Sequence, residues 1–160
     1  QFQSVDGLKI KVCRALKDQF IINWRDNLQN MSSCDVYINF KTNFVFEKYL
    51  VSLAPQLTKT FCAFRLNNTR LPKVVGRYTK TPRDQRYCNL CSNGNFLGDE
   101  FHLLLECSNA QICFLRNKYI PIEYSVRPNM QKCIELIRND NVVIIRKLAM
   151  FLKKSLPLFK

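Results

Sequence analysis

The sequence predicts a mainly α-helical protein in which one irregular basic segment and one small cysteine–histidine knuckle interrupt the helices. Three observations carry that expectation. Apolar residues recur at steps of three and four along much of the chain, and nowhere is a strand-like alternation sustained. Only four glycines occur in 160 residues, so tight turns are few. The one histidine stands among cysteines in RYCNLCSNGNFLGDEFHLLLEC, residues 86–107, within an apolar run.

The elements follow in chain order. Val5, Leu8, Val12, Ala15, Leu16 and Phe20 share one face of a first helix with Ser4 as its cap, and Ile21 to Leu28 continue or restart it. Ser32 or Ser33 caps a helix around Cys34 to Phe40, and another runs from about Phe46 to Leu53. Pro55 suits a first helical turn, where its missing N–H is no loss. It opens a helix over Gln56 to Leu66 with Leu57, Phe61 and Phe64 on one side. The periodicity then fades, and Asn67-Asn68, Pro72, Gly76 and Pro82 mark a loop region. Helix resumes after Gly98, with Asp99 and Glu100 suited to the positive end of its dipole. Pro128 opens a helix to about Asn139, and Val142 to Leu156 form the last, ended by Pro157.

With 47% hydrophobic and 12% aromatic residues, the chain has the material for a core and is not composed like a disordered tail. Its longest apolar runs are cut by Glu47-Lys48 and Arg146-Lys147, short of the ~18 residues that span a bilayer, so no membrane partner is expected. It opens on Gln1 rather than Met, which marks it as processed or as a fragment of a longer chain. No basic and apolar leader argues for secretion. Reduced thiols then suggest an intracellular setting, nucleus or cytoplasm.

Within the opening stretch, Cys88-x2-Cys91 is followed by ten residues, His102, four more residues and Cys107. Zn²⁺ takes four cysteine or histidine ligands in a tetrahedron, and a C-x2-C turn aims two thiolates at one ion. The loop between, with Gly94, Gly98 and two asparagines, lets the chain double back. His102 and Cys107 come from the returning helix, whose five-residue step exceeds one turn, so that helix is expected to fray or end near Cys107. The spacing thus predicts a CCHC-type zinc knuckle with one structural Zn²⁺ held by Cys88, Cys91, His102 and Cys107. With all four positions filled by protein, the site leaves no place for a catalytic water. Cys113 is an alternative fourth ligand, a Cys88/Cys91 redox pair is another reading, and four disulfides a third. Cys13, Cys34, Cys62 and Cys133 lie in apolar helical patterns and read as buried core thiols.

Net charge is +13, from 25 Lys plus Arg against 12 Asp plus Glu, which favours a polyanionic partner. The surplus is concentrated. Lys59 to Arg86 hold eight basic residues against the single acid Asp84, whereas Cys88 to Ala110 hold none. Pro72, Gly76 and Pro82 oppose a continuous helix there, so an extended, Arg-rich arm is expected. Arg65, Arg70, Lys73, Arg77, Tyr78, Lys80, Arg83 and Arg86 are its candidate nucleic-acid contacts. Guanidinium groups grip phosphates, and the aromatic rings among them, Phe61, Phe64, Tyr78 and Tyr87, can stack on unpaired bases. The bland reading is a solvated surface whose arginines pair with Asp99, Glu100 and Glu106.

The stretch LPKVVGRYTKTPRDQRYCNLCSNGNFLGDEFHLLLEC, residues 71–107, resembles the C-terminal region of reverse transcriptases from LINE-type (non-LTR) retrotransposons. The resemblance lies in the basic run ending Arg83-Asp84-Gln85-Arg86, the cysteine pair, Gly98-Asp99-Glu100-Phe101-His102, and the apolar residues leading to Cys107. It extends more loosely upstream through FRLNNTRLP and downstream to about Ala149. It implies a knuckle that follows the polymerase domain and helps hold template RNA or target DNA, with Cys88, Cys91, His102 and Cys107 as ligands. Arg77, Arg83 and Arg86 match the family's basic run. The polymerase of that family needs paired aspartates for Mg²⁺, and none of the seven aspartates here is adjacent to another.

The sequence therefore reads as a helical region (1–66), a basic loop or arm (67–87), a zinc knuckle (88–107) and a helical tail (108–160), forming one compact unit. The expected function is a non-catalytic nucleic-acid-binding module whose partners are RNA or DNA. The alternative is a protein–protein interaction scaffold that docks on the polymerase part of a parent chain or another partner.

Overall fold

The computed structural model describes residues 5–31, 34–91 and 95–159. The expected caps Ser4, Ser32 and Ser33, and residues 92–94 of the knuckle loop, lie outside the described residues. The chain is mainly helical and divides into two compact units, Gln1–Phe44 and Val45–Lys160.

In the first unit the expected helix is continuous. Helix α1 runs Val5–Asn30, so Ile21 to Leu28 continue it. Phe44 packs edge-on against Phe20 and Trp24, with ring centroids 5.1 and 5.4 Å apart. Helix α1 nevertheless buries none of its residues, and Leu8, Val12, Leu16 and Phe20 are exposed. Cys13 is exposed with them, contrary to the expectation of a core thiol, because none of the residues of α1 is buried within this unit. A short helix, α2 (Tyr37–Phe40), replaces the longer one expected from Cys34.

The second unit is built round its last long helix. Helices α3 (Tyr49–Ser52) and α4 (Pro55–Arg65) are joined through Leu53 and Ala54, both extended, Ala54 as the residue before proline tends to be. Pro55 occupies the first turn of α4, whose Leu57, Phe61 and Phe64 are buried as their spacing requires. Asn67 ends α4 in the left-handed region (φ 52°). Its N–H bonds Phe64 O while the N–H of Asn68 bonds Ala63 O, the paired closure of a Schellman motif. Helix α6 (Ala110–Tyr119) starts at Asn109, whose side chain accepts from the N–H groups of Gln111 and Ile112. Helix α7 (Ile122–Ser125) leads to α8 (Met130–Arg138) and α9 (Val142–Ser155), capped by Asn129 and Asn141. Helix α9 packs against both α4 and α6 and buries Ile145, Leu148, Ala149, Phe151 and Leu152. Truncating any one of the buried phenylalanines costs about 3–5 kcal/mol in such cores. Pro157 sits inside a 3₁₀ turn, Leu156–Leu158, that extends α9 rather than ending the helical path.

The segment expected as an extended arm contains helix α5 (Pro72–Tyr78). Pro72 is at its first turn, as Pro55 is in α4, so the proline that reads as a breaker is an initiator. Gly76 is tolerated inside the helix because the stem of Arg86 lies across it. A Cβ there would stand 2.5 Å from Arg86 Cδ. Lys80 closes α5 in the left-handed region (φ 54°), and Thr81 N–H bonds Gly76 O. A 3₁₀ turn, Arg83–Gln85, follows.

Candidate metal centre

The Cys/His cluster is assembled by two short devices. The first is an antiparallel bridge between Tyr87 and Leu97, flanked by bonds from Cys88 N to Phe96 O and from Gly98 N to Arg86 O, both 2.8 Å. This bridge closes the loop and fixes Cys88 at its base. Gly98 is required where it stands. Its carbonyl accepts from Lys73 N (3.1 Å), and a Cβ would meet the Pro72 ring at 2.5 Å.

The second device is the returning helix. Asp99 caps it by accepting the His102 N–H on Oδ1 at 2.9 Å, which agrees with the acids expected at this start. His102–Glu106 then form a π-helical turn, closed by Cys107 N to His102 O at 2.7 Å. In an α-helix a five-residue step turns roughly 140° past a full circle, so His102 and Cys107 would face apart. The wider i→i+5 turn brings them to the same side, and the helix then ends with Cys107 at its C-cap, where the spacing places its end.

The outcome is one cluster. One ligand atom each of Cys88, Cys91, His102 and Cys107 lies within 4.8 Å of all the others, an arrangement that can hold a metal ion. Cys91 Sγ is 3.2 Å from His102 Nε2 and 3.4 Å from Cys107 Sγ. That sulfur separation is well beyond the ~2.05 Å of a disulfide, and Cys88, Cys91 and Cys107 are all thiols. Cys113, the alternative fourth ligand, bonds Cys107 O instead. Cys88, His102 and Cys107 are buried, while Cys91 sits at the rim. Phe96 stacks on the His102 ring at 5.4 Å and 17°, which fixes its plane.

The electrostatics divide the thiols. Burial pushes Cys107 up to about 12 and raises Cys88 as well. Burial opposes ionisation of Cys91 too, but hydrogen bonds from the Ser108 side chain and backbone and from Cys107 and Cys88 outweigh it and lower its pKa. Burial lowers His102, against the pull of Asp99, and so favours the neutral ring that can ligate.

Sequence reasoning missed Arg116. It is buried, and its guanidinium donates to Leu104 O (2.8 Å), Cys107 O (2.9 Å) and Leu103 O (3.4 Å). It thereby satisfies the carbonyls that the π-turn frees, and it sets a fixed positive charge behind a cluster that becomes anionic when its thiols ionise. The signal in the sequence is its position four residues after the buried Ile112, on the same helix face. Asn109 is a second omission. Its Nδ2 donates to Leu90 O (3.1 Å) and ties the C-x2-C turn to the start of α6.

The expected nucleic-acid contacts separate into two groups. Arg65 is buried, pairs with both Glu47 oxygens at 3.0 and 3.3 Å, and lies over the Tyr49 ring. Lys73 is buried in an ion pair with Glu100 at 3.1 Å. Arg86 is half-buried and donates to Thr81 O and Lys73 O, each at 2.9 Å. Arg70, Tyr78, Lys80 and Arg83 face solvent, Tyr78 at 82% exposure, and Arg77 is half-exposed.

Fold and cluster together define a mainly helical protein with a candidate Cys₃His metal centre. Comparison with protein families, with curated proteins and with solved structures finds no match for the chain. No helix among the described residues is long and apolar enough to cross a membrane.

Proposed function

We propose that this chain is a non-catalytic, zinc-stabilised nucleic-acid-binding module that resembles the C-terminal region of a LINE-type retrotransposon reverse transcriptase. The convergence of Cys88, Cys91, His102 and Cys107 carries the reading. Zn²⁺ with Zn–S near ~2.3 Å and Zn–N near ~2.0 Å spaces its ligand atoms about 3.5–3.8 Å apart, a cage that this cluster reaches by small shifts. Zinc is favoured over other ions by three thiolates and one imidazole, a set that also makes the site structural.

The partner is single-stranded or folded RNA, or DNA. Support comes from the net charge of +13 and from the exposed Arg70, Tyr78, Lys80 and Arg83, with Arg77 beside them, next to the knuckle. Arg65, Lys73 and Arg86 serve the scaffold that carries them. Nothing here reads base edges, so sequence preference is weak and binding falls steeply with salt.

Two measurements test this. Purified protein holds one zinc per chain, and His102→Ala holds none. Labelled RNA or DNA binds the parent with a steep salt slope, and Arg77→Ala/Lys80→Gly/Arg83→Ala lowers both affinity and slope; the Gly suits the positive φ of Lys80. A folded protein that takes up no zinc, or that binds no nucleic acid at low salt, overturns the assignment. The exposed stripe of Leu8, Val12, Leu16 and Phe20 on α1 favours a second reading, a scaffold that docks on a polymerase or other protein partner. That reading gives partner binding which is indifferent to the arginine variants.

A further inference from the structure

Away from the exposed face of α5, two grooves of the second unit meet at one residue. The larger, about 410 Å³, lies between α4 and the end of α9. Its rim carries Lys59, Arg70 and Lys153, and its floor is Leu152, Leu156 and Pro157. The smaller, about 220 Å³, runs past α5 to Gln85, Tyr87 and Asn89, beside the first knuckle cysteine. Arg70 lines both. Among the described residues, no Asp or Glu lines either groove.

We infer that these two grooves form one track for a single strand of RNA or DNA, with Arg70 as the phosphate clamp at their junction. The inference rests on the nucleic-acid reading above and deepens it by naming the path and the state of the strand. Three chemical features point to a strand rather than a duplex or an acidic peptide. The larger groove pairs a cationic rim with an apolar floor, which matches a backbone of phosphates carrying flat apolar bases. A duplex keeps its bases inside and has nothing to lay on Leu156 and Pro157. Its volume falls in the ~300–1,000 Å³ range of small-ligand sites, enough for an unstacked nucleoside. At the far end Tyr87 is 42% exposed while the bridge to Leu97 holds its backbone, so its ring is a pre-set stacking surface. Asn89 and Gln85 supply hydrogen bonds beside it without charge. An acidic peptide would use the same cations but would leave Tyr87 and the apolar floor without a partner.

Cations on the two sides of the larger groove come from elements far apart in sequence. Lys59 belongs to α4, Arg70 precedes α5, and Lys153 lies in the last turn of α9, where its Nζ also donates to Gln56 Oε1 at 2.9 Å. Their convergence is a product of the α4–α9 packing, and no local charge run announces it.

The test uses the zinc-loaded full chain and a labelled oligo(dT) or oligo(U) of about 12 nucleotides, within the ~4–16 that single-strand grooves occupy. Lys59→Ala/Arg70→Ala/Lys153→Ala is compared with Lys118→Ala/Arg138→Ala/Lys132→Ala, which removes the same charge elsewhere on the unit. The groove variant weakens binding at least tenfold and lowers the salt slope by about 2, near 0.7 per lost phosphate contact. The control variant changes the slope by less than half as much. Tyr87→Leu weakens oligo(dT) about tenfold through lost stacking and leaves an abasic strand of the same length unaffected. Thermal unfolding of each variant confirms a folded chain. A parent that binds oligonucleotide with groove and control variants weakened alike overturns the track and leaves the nucleic-acid reading standing. A parent that prefers duplex over single strand also overturns the track. A parent that binds no nucleic acid removes both.

Discussion

The Lys73 ammonium lies 3.1 Å from Glu100 Oε2, both side chains are buried, and 27 positions separate them. This pair joins α5 to the first turn of the helix that carries His102. The second carboxylate oxygen, Oε1, is buried without a hydrogen-bond partner among the described residues. Removing one member leaves a lone buried charge, which costs about 3–5 kcal/mol. Lys73→Met is therefore expected to destabilise strongly, and Lys73→Met/Glu100→Leu to recover most of the loss. Urea unfolding of the two singles and the double gives the coupling; additive losses would show that the pair contributes nothing as a pair.

Arg116 answers three carbonyls at once, and Arg116→Met takes its bonds from Leu103 O and Leu104 O and leaves Cys107 O with the Cys113 thiol alone. Each orphaned group costs about 1–3 kcal/mol, with some relief from water at the rim. We expect a loss of about 3 kcal/mol and a clear fall in zinc affinity by competition with a chromophoric chelator. A variant destabilised to that degree but with unchanged zinc affinity would confine Arg116 to the fold.

Gly98→Ala sets a methyl against the rigid ring of Pro72, 2.5 Å from its Cγ. The strand bridge and the bond to Lys73 N must then shift. Overpacking of this kind costs about 1–3 kcal/mol. Thermal unfolding checks the loss, and Gly98→Ala with a wild-type Tm would show that the two loops yield freely.

Thiol chemistry should separate Cys13 from Cys133. Cys13 is exposed on α1, whereas burial, aided by Glu100 and Asp99, raises Cys133 from 9.0 to about 12. A raised folded-state value means that Cys133 contributes stability in full below pH 9 and loses it as pH climbs through about 12. Iodoacetamide at pH 8 is expected to modify Cys13 within minutes and Cys133 only on unfolding, as peptide mapping would read. Equal rates at the two sites would mean that α8 opens readily.

Helices with an apolar face set against the core were legible from spacing alone. Leu57, Phe61 and Phe64 in α4, and the Ile145 to Leu152 face of α9, fall at helical intervals and are buried. The Cys/His cluster that could hold a metal was legible because C-x2-C and a lone histidine are local signals. Other features depend on partners distant in sequence. Lys73 and Arg65 look like surface cations until Glu100 and Glu47 arrive from 27 and 18 positions away. Helix α5 was hidden because Pro72 and Gly76 have the composition of a loop, and only the stem of Arg86, folded back over it, explains the glycine. The exposed Cys13 follows from the same cause in reverse: periodicity marks an apolar stripe on α1, but it cannot say whether anything covers that stripe.

The π-turn at His102–Glu106 ties chemistry to chain length. A π-turn is an α-turn holding one residue too many, so deleting any one of Leu103, Leu104 or Leu105 restores ordinary helical closure. That deletion removes no ligand, and the imidazole and the last thiol, then four residues apart on an α-helix, still share one side. In a lineage descended from such a gene, histidine-to-cysteine steps of four and of five residues are thus interchangeable at this site, the first closed by an α-turn and the second by a π-turn.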